Sequence, residues 1–189
     1  PEQVVNFTVF RFYSGLRTSE LAGLRWPSID FRTETALVSE VIVRGEVKAR
    51  TKTQTTRLVD LNSKSFAAIK AQKAHSFLAG EHVFLDPRYG TPWTEERAYR
   101  RSYWEPTLKA LGMRYRRPYN TRHTYATMLL MSGARPAYAA RQLGHSVEMF
   151  LTTYSKWIDG EANASEQTRL EAFIGGDQAA SLSSATPPH

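Results

Sequence analysis

At 189 residues, 41% of them hydrophobic, the chain has the size of one domain and can bury a real core. No apolar run approaches the roughly 20 residues that cross a bilayer, no secretory signal is visible, and there is no cysteine to staple a fold or ligate zinc. The expectation is a soluble, cytoplasmic protein with no membrane partner and no metal. The net charge is +7, from 25 Lys+Arg against 18 Asp+Glu.

In chain order, Glu2 to Ser14 reads as a helix with apolar positions at Val5, Val9 and Phe12. A turn and a short helix follow in "GLRTSELAGL", with Thr18 or Ser19 as its cap. From Thr35 to Leu61 the texture changes to Val, Thr and Ile. Strand-like runs at Ala36–Val43 and Arg57–Leu61 flank a polar, glycine-containing middle and predict one small antiparallel sheet. Asn62 or Ser63 opens a helix through about Leu78, and "HVFLDP" is a short strand or loop. Helical segments then fit Thr94–Leu111, Asn120–Ser132, Arg135–Leu143 and Val147–Tyr154, punctuated by Pro118 and Pro136. Glu161–Phe173 fits one more helix, and the small, polar, proline-rich stretch after Gly175 has the composition of disorder. The fold class expected is α+β, mostly helical, with residues 1–160 as the domain and 161–189 as a terminal helix and tail.

The positive charge is concentrated. Between Arg97 and Arg122 lie eight Lys/Arg and one acid, Glu105, interleaved with Tyr99, Tyr103, Trp104, Tyr115 and Tyr119. A basic run can be a plain solvated face, but a basic and aromatic one leans towards a polyanion such as nucleic acid. Arg100, Arg101, Arg116 and Arg117 are its candidate phosphate contacts. Arg122 follows Asn120, a good cap, and so falls in the first turn of a helix, where a cation opposes the dipole by about 0.3–1 kcal/mol. An anion bound there would reverse the sign, because the dipole, the backbone N–H groups and the guanidinium would all face negative charge.

Three segments carry the chemistry: "YSGLRTSELAGLRW", "RRPYNTRHTYATMLL" and "LGHSVEMFLTTYSKW". In that order, with nine residues from His145 to Tyr154, they resemble the signature blocks of the tyrosine recombinases, the phage-integrase family. The resemblance runs from about Val4 to Trp157 and corresponds to the family's catalytic domain. It implies that Arg17 and Arg122 are the two catalytic arginines, that Glu20 supports the site, that His145 is the histidine of the "LGH" block, and that Tyr154 is the nucleophile. "RTKTQTTRLVDL" resembles the β-hairpin block and makes Lys52 the catalytic lysine, with Lys48 as alternative. Where members often have a histidine three residues before the second arginine, this chain has Tyr119, which can donate to a phosphate oxygen but cannot carry a proton's charge at pH 7. His123 points about 100° around the helix from Arg122 and reads as structural. His75, His82 and His189 lack partners at metal-ligand spacing.

The implied reaction cleaves and rejoins DNA through a 3′-phosphotyrosyl link, without metal, cofactor or ATP. The two guanidiniums would clamp the non-bridging oxygens and depress the tyrosine's pKa, His145 would donate to the phosphate or assist proton transfer, and Lys52 would protonate the leaving 5′-oxygen. The implied partners are double-stranded attachment sites, a homotetramer on DNA and accessory DNA-bending proteins. The alternatives are a resolvase or tyrosine transposase of the same family, or a sequence-directed DNA-binding module that no longer cleaves.

Overall fold

In the computed structural model, which describes residues 1–43, 45–49, 56–93, 95–154 and isolated positions between 167 and 174, the first helix, α1, spans Glu2–Ser14. Its buried stripe is Val4, Phe7 and Phe10. Val9 and Phe12 pack partly against the core, but Val5 is 58% exposed. The aromatic rings decide this rotation. Phe7 meets Phe84, Trp93 and Tyr99 at centroid distances of 5.2, 5.7 and 4.9 Å, and a fully buried Phe is worth about 1.5–3 kcal/mol.

The short helix α2 covers Thr18–Gly23. Its cap position is Arg17 rather than Thr18 or Ser19, because the Glu20 carboxylate reaches back to accept from the Arg17 backbone N–H at 2.9 Å. The Thr18 hydroxyl turns instead to Glu96 and Arg11.

The expected single sheet is three small antiparallel ones among the described residues. β1 (Ile29–Asp30), β2 (Thr35–Val38) and β5 (Arg57–Asp60) form one, in the order β1-β2-β5, with Ala36 opposite Val59. β3 (Glu40–Val43) pairs with β4 (Glu46–Ala49), and β6 (Leu85–Asp86) with β7 (Thr91–Pro92). The predicted strand Ala36–Val43 is therefore split at Ser39 between two sheets, and β3 packs against α2 instead of continuing β2.

Helix α3 (Ser63–Ser76) starts as expected at Asn62, whose side chain accepts from the Lys64 and Ser65 N–H groups. The Asn62 amide also donates to the Tyr13 carbonyl, tying the end of α1 to the start of α3. The long helix predicted from Thr94 is α4 (Glu96–Tyr99) and α5 (Glu105–Ala110) joined by a π-helical turn at Arg100–Trp104; Thr94 lies outside the described residues. Pro106 has no N–H to give the Ser102 carbonyl, and the Glu105 N–H bonds five residues back to Arg100.

The last three helices, α6 (Asn120–Met131), α7 (Pro136–Leu143) and α8 (Val147–Tyr154), match their predicted spans to within a residue. Asn120 is the first helical residue of α6, with Tyr119 at the cap position. These helices enclose a second core of Tyr125, Ala126, Ala139, Ala140, Leu143, Phe150 and Tyr154. Arg11, 1% exposed, fastens α1 to the start of α6, where its Nε donates to the Pro118 carbonyl and Thr121 Oγ1, and to α4, where its Nη2 pairs with Glu96. Gly15 closes α1 with φ 64°, and a Cβ there would lie 2.5 Å from the Tyr125 ring. The end of α1 can approach the second core only through a glycine. Of the predicted terminal helix, residues 167, 168 and 170–172 fall among those described and are helical. No helix of the described residues is long and apolar enough to cross a membrane.

Candidate active site

Arg17 and Glu20 are brought together by the first turn of α2, and a strand brings a third group to them. Arg57 opens β5 on the inward face it shares with Val59 and spans Glu20 with two hydrogen bonds, Nη1 to Oε1 at 3.0 Å and Nη2 to Oε2 at 2.8 Å. Arg17 Nη1 adds a third at 3.0 Å. Burial would raise the Glu20 carboxyl, but the hydrogen bond and charge of Arg57, with the Arg17 N–H and charge, override it and hold the group at about 2. Arg57 was not foreseen as a site residue, although the in–out alternation of "RLVD" places it inward with Val59.

Arg17 also donates through Nη2 to the Gly144 carbonyl at 3.0 Å, and Arg57 Nε donates to the Gln142 carbonyl at 3.1 Å. The end of α7 is therefore held against both arginines. Gly144 makes this possible: its φ is 64°, and a Cβ would lie 2.8 Å from Arg57 Nη1.

Arg122, 1% exposed, lies in the first turn of α6. Its Nη1 donates to the Gly15 carbonyl, and its Nη2 to the Leu143 carbonyl and to His145 Nε2, the last at 2.8 Å. Its Nε is buried without a partner in the described structure. Burial first, and then the Arg17 charge, pull this guanidinium down to about 10. A guanidinium has no acceptor, so His145 Nε2 must accept, and the neutral ring carries its proton on Nδ1. That Nδ1 is also buried without a partner. Burial, followed by the charges of Arg122 and Arg17, holds His145 at about 4, neutral at pH 7. Two buried N–H donors, Arg122 Nε and His145 Nδ1, thus lack an acceptor.

Tyr154 ends α8 at 3% exposure, its ring stacked near His145 with centroids 6.4 Å apart. Burial raises its phenol pKa and outweighs the lowering by the Arg122 charge, so the expected depression is not present in this state. Its hydroxyl is 3.0 Å from His123 Nδ1. His123, read as structural, thus contacts the residue read as the nucleophile. Tyr154, at the end of α8, reaches it on α6, with the two ring centroids 5.9 Å apart. Tyr119, 38% exposed, sets its ring edge-on to His123 at 5.3 Å.

Lys52 lies outside the described residues, and Lys48 is an exposed residue of β4 with Glu46 Oε2 3.6 Å away. A cleft of about 1120 Å³ opens beside β3 and β5 and is lined by Arg17, Glu20, Arg57, Arg141 and His145 among others. Arg101, Arg116 and Arg117 are exposed, with no ion pair among the described residues; Arg100 is half-buried. No group of three His, Cys, Asp or Glu among the described residues could hold a metal ion.

Three comparisons bear on this arrangement. The prophage integrase IntR of Escherichia coli K12 is 31% identical over 83% of this chain and 44% of its own length. IntQ of the same organism, a relative named as defective, is 27% identical over 86% of this chain and 47% of its own. The chain thus spans about half the length of the curated relatives it matches. The Tn1549 transposon integrase, solved in complex with transposon right end DNA, superposes with a TM-score of 0.72 at 20% identity, covering 91% of this chain and 59% of that one. The fold is that of the tyrosine recombinase catalytic domain. The model of the phage integrase family matches residues 4–157, and the chain belongs to that family.

Proposed function

We propose that this chain breaks and rejoins DNA strands, with Tyr154 attacking a backbone phosphate to form a 3′-phosphotyrosyl link and a free 5′-hydroxyl. The observation that carries this reading is Arg122: a buried guanidinium at a helix start, anchored by two carbonyls and by His145, whose ring stacks near Tyr154, with an Nε that has no partner among the described residues. Together with Arg17 it would hold the non-bridging oxygens and neutralise the charge that develops on them. His145 Nδ1–H would add a further donor. Lys52 would protonate the departing 5′-oxygen, and Glu20 with Arg57 would fix Arg17. The link conserves the energy of the phosphodiester, so a second 5′-hydroxyl reverses the step without ATP. The substrate would be a double-stranded attachment site, met in the cytoplasm by a homotetramer with accessory DNA-bending proteins. The exposed Arg101, Arg116 and Arg117 supply phosphate contacts.

The test uses nicked suicide duplexes that tile the DNA flanking the coding region. A covalent protein–DNA adduct that forms with the parent chain and disappears in Tyr154→Phe, with binding held within a few-fold, supports the reading. Binding without an adduct on any duplex overturns it in favour of a silent DNA-binding module. An adduct that survives Tyr154→Phe moves the nucleophile elsewhere.

A further inference from the structure

We propose that His123 takes the phenolic proton of Tyr154 during attack, leaving His145 to act only as a hydrogen-bond donor. The proposal rests on the reading of Tyr154 as nucleophile.

The division follows from the lone pairs. A neutral imidazole has one acceptor nitrogen. In His145 that nitrogen is Nε2, engaged by an Arg122 N–H at 2.8 Å, and the remaining ring position already holds a proton. His145 has no free site for the proton of Tyr154. His123 Nδ1, in contrast, lies 3.0 Å from the reacting oxygen, within the reach a general base requires. With Nδ1 accepting, the proton of its neutral ring sits on Nε2.

The surroundings keep the lone pair of His123 available. The groups that face it are Arg122 on its own helix, Tyr119 one turn earlier at 5.3 Å, and Tyr154 from α8. None of these is a carboxylate that would hold the ring protonated. Burial and the Arg122 charge lower its pKa, so it is neutral at pH 7. The His123 side chain is otherwise exposed, which lets a captured proton exchange with water.

In the step itself, the Oη–H bond breaks and its proton passes to Nδ1 while the Oη–P bond forms. The P–O5′ bond breaks, and the 5′-oxygen takes a proton from the general acid, Lys52 on the reading above. In rejoining, the His123 imidazolium returns the proton to the tyrosine oxygen as it leaves.

Single-turnover cleavage of an adduct-forming nicked duplex, followed from pH 6 to pH 10, tests this. His123→Gln keeps a polar partner for the hydroxyl but cannot take up a proton. Its rate at pH 7 should fall on the order of 10²–10⁴-fold, the range for a lost general base. It should then rise about tenfold per pH unit as the phenol ionises by itself, while the parent stays flat above about pH 6.5 and DNA binding changes less than a few-fold. His145→Gln should be slower than the parent yet keep the flat profile. The proposal is overturned by a His123→Gln that keeps the parent rate and profile, or by a rising profile in His145→Gln instead. Faster cleavage by His123→Gln also overturns it, and makes the contact a latch that parks the tyrosine. An adduct that persists in Tyr154→Phe would instead sink the underlying assignment of the nucleophile, whatever His123 does.

Discussion

Replacing Glu20 by glutamine removes one charge from the site while keeping its shape. Four N–H donors converge on the carboxylate: two from Arg57, one from the Arg17 side chain and one from the Arg17 backbone. A glutamine offers one acceptor oxygen, so donors on one side lose their partner and meet an NH₂ group. A carboxyl with an ordinary value of 4.5 held at about 2 corresponds, at 1.36 kcal/mol per pH unit, to about 3 kcal/mol of folded-state stabilisation. Breaking a buried ion pair from one side costs about 3–5 kcal/mol, which agrees. Because the folded pKa is depressed, this contribution is complete above pH 4.5 and fades as pH falls towards 2. Urea unfolding at a series of pH values should therefore show Glu20→Gln about 3 kcal/mol less stable than the parent at pH 6–7. The gap should shrink steadily below pH 4.5 and approach zero only as pH falls to about 2. A gap below 1 kcal/mol at pH 7, or one that stays constant down to pH 2.5, would refute the reasoning.

Two further outcomes are expected. The triple change of Arg101, Arg116 and Arg117 to alanine should weaken DNA binding and flatten the dependence of log affinity on log salt by about 0.9 for each phosphate the variant no longer neutralises; an unchanged slope would return these residues to the solvated face. Lys52→Ala should cleave normal DNA about 10²–10⁴-fold more slowly and recover most of that rate when sulfur replaces the bridging 5′-oxygen, since a thiol of pKa near 8.5 departs without a proton. Rescue of Lys48→Ala rather than Lys52→Ala in the same assay would assign the proton to Lys48.

The helices of this chain were legible because caps and periodicity are local: Asn62 starts α3, and α8 runs from Val147 to Tyr154 as read. The sheets were less legible. Nothing within "TALVSEVIV" says that the chain changes partners at Ser39, since α2 and β5 compete for its two halves. The site shows the same limit. Arg17, Glu20, Arg122, His145 and Tyr154 stand in recognisable blocks, whereas Arg57 and Arg11 act through contacts 37 and 85 residues away in sequence. His123 is the sharpest case. A helical wheel describes faces and not what docks on them, so its contact with Tyr154 was not foreseen.

The charge of the site explains why so much backbone is committed to holding it. Arg17, Arg57 and Arg122 are answered by one carboxylate, Glu20, with His145 neutral, which leaves an excess of two positive charges among the described groups. Arg122 opposes its own helix dipole as well. Mutual repulsion would splay these side chains in an uncommitted loop. Here the carbonyls of Gly15, Leu143, Gln142 and Gly144 fix the three guanidiniums, so the repulsion is stored rather than relaxed. On the proposed reading, a phosphodiester brings one negative charge and leaves part of that excess uncompensated. The pentacoordinate state concentrates more negative charge on the same oxygens and is the better match. The site is then complementary to the transition state rather than to the bound DNA, and the unsatisfied N–H groups of Arg122 and His145 are the donors held in reserve for it.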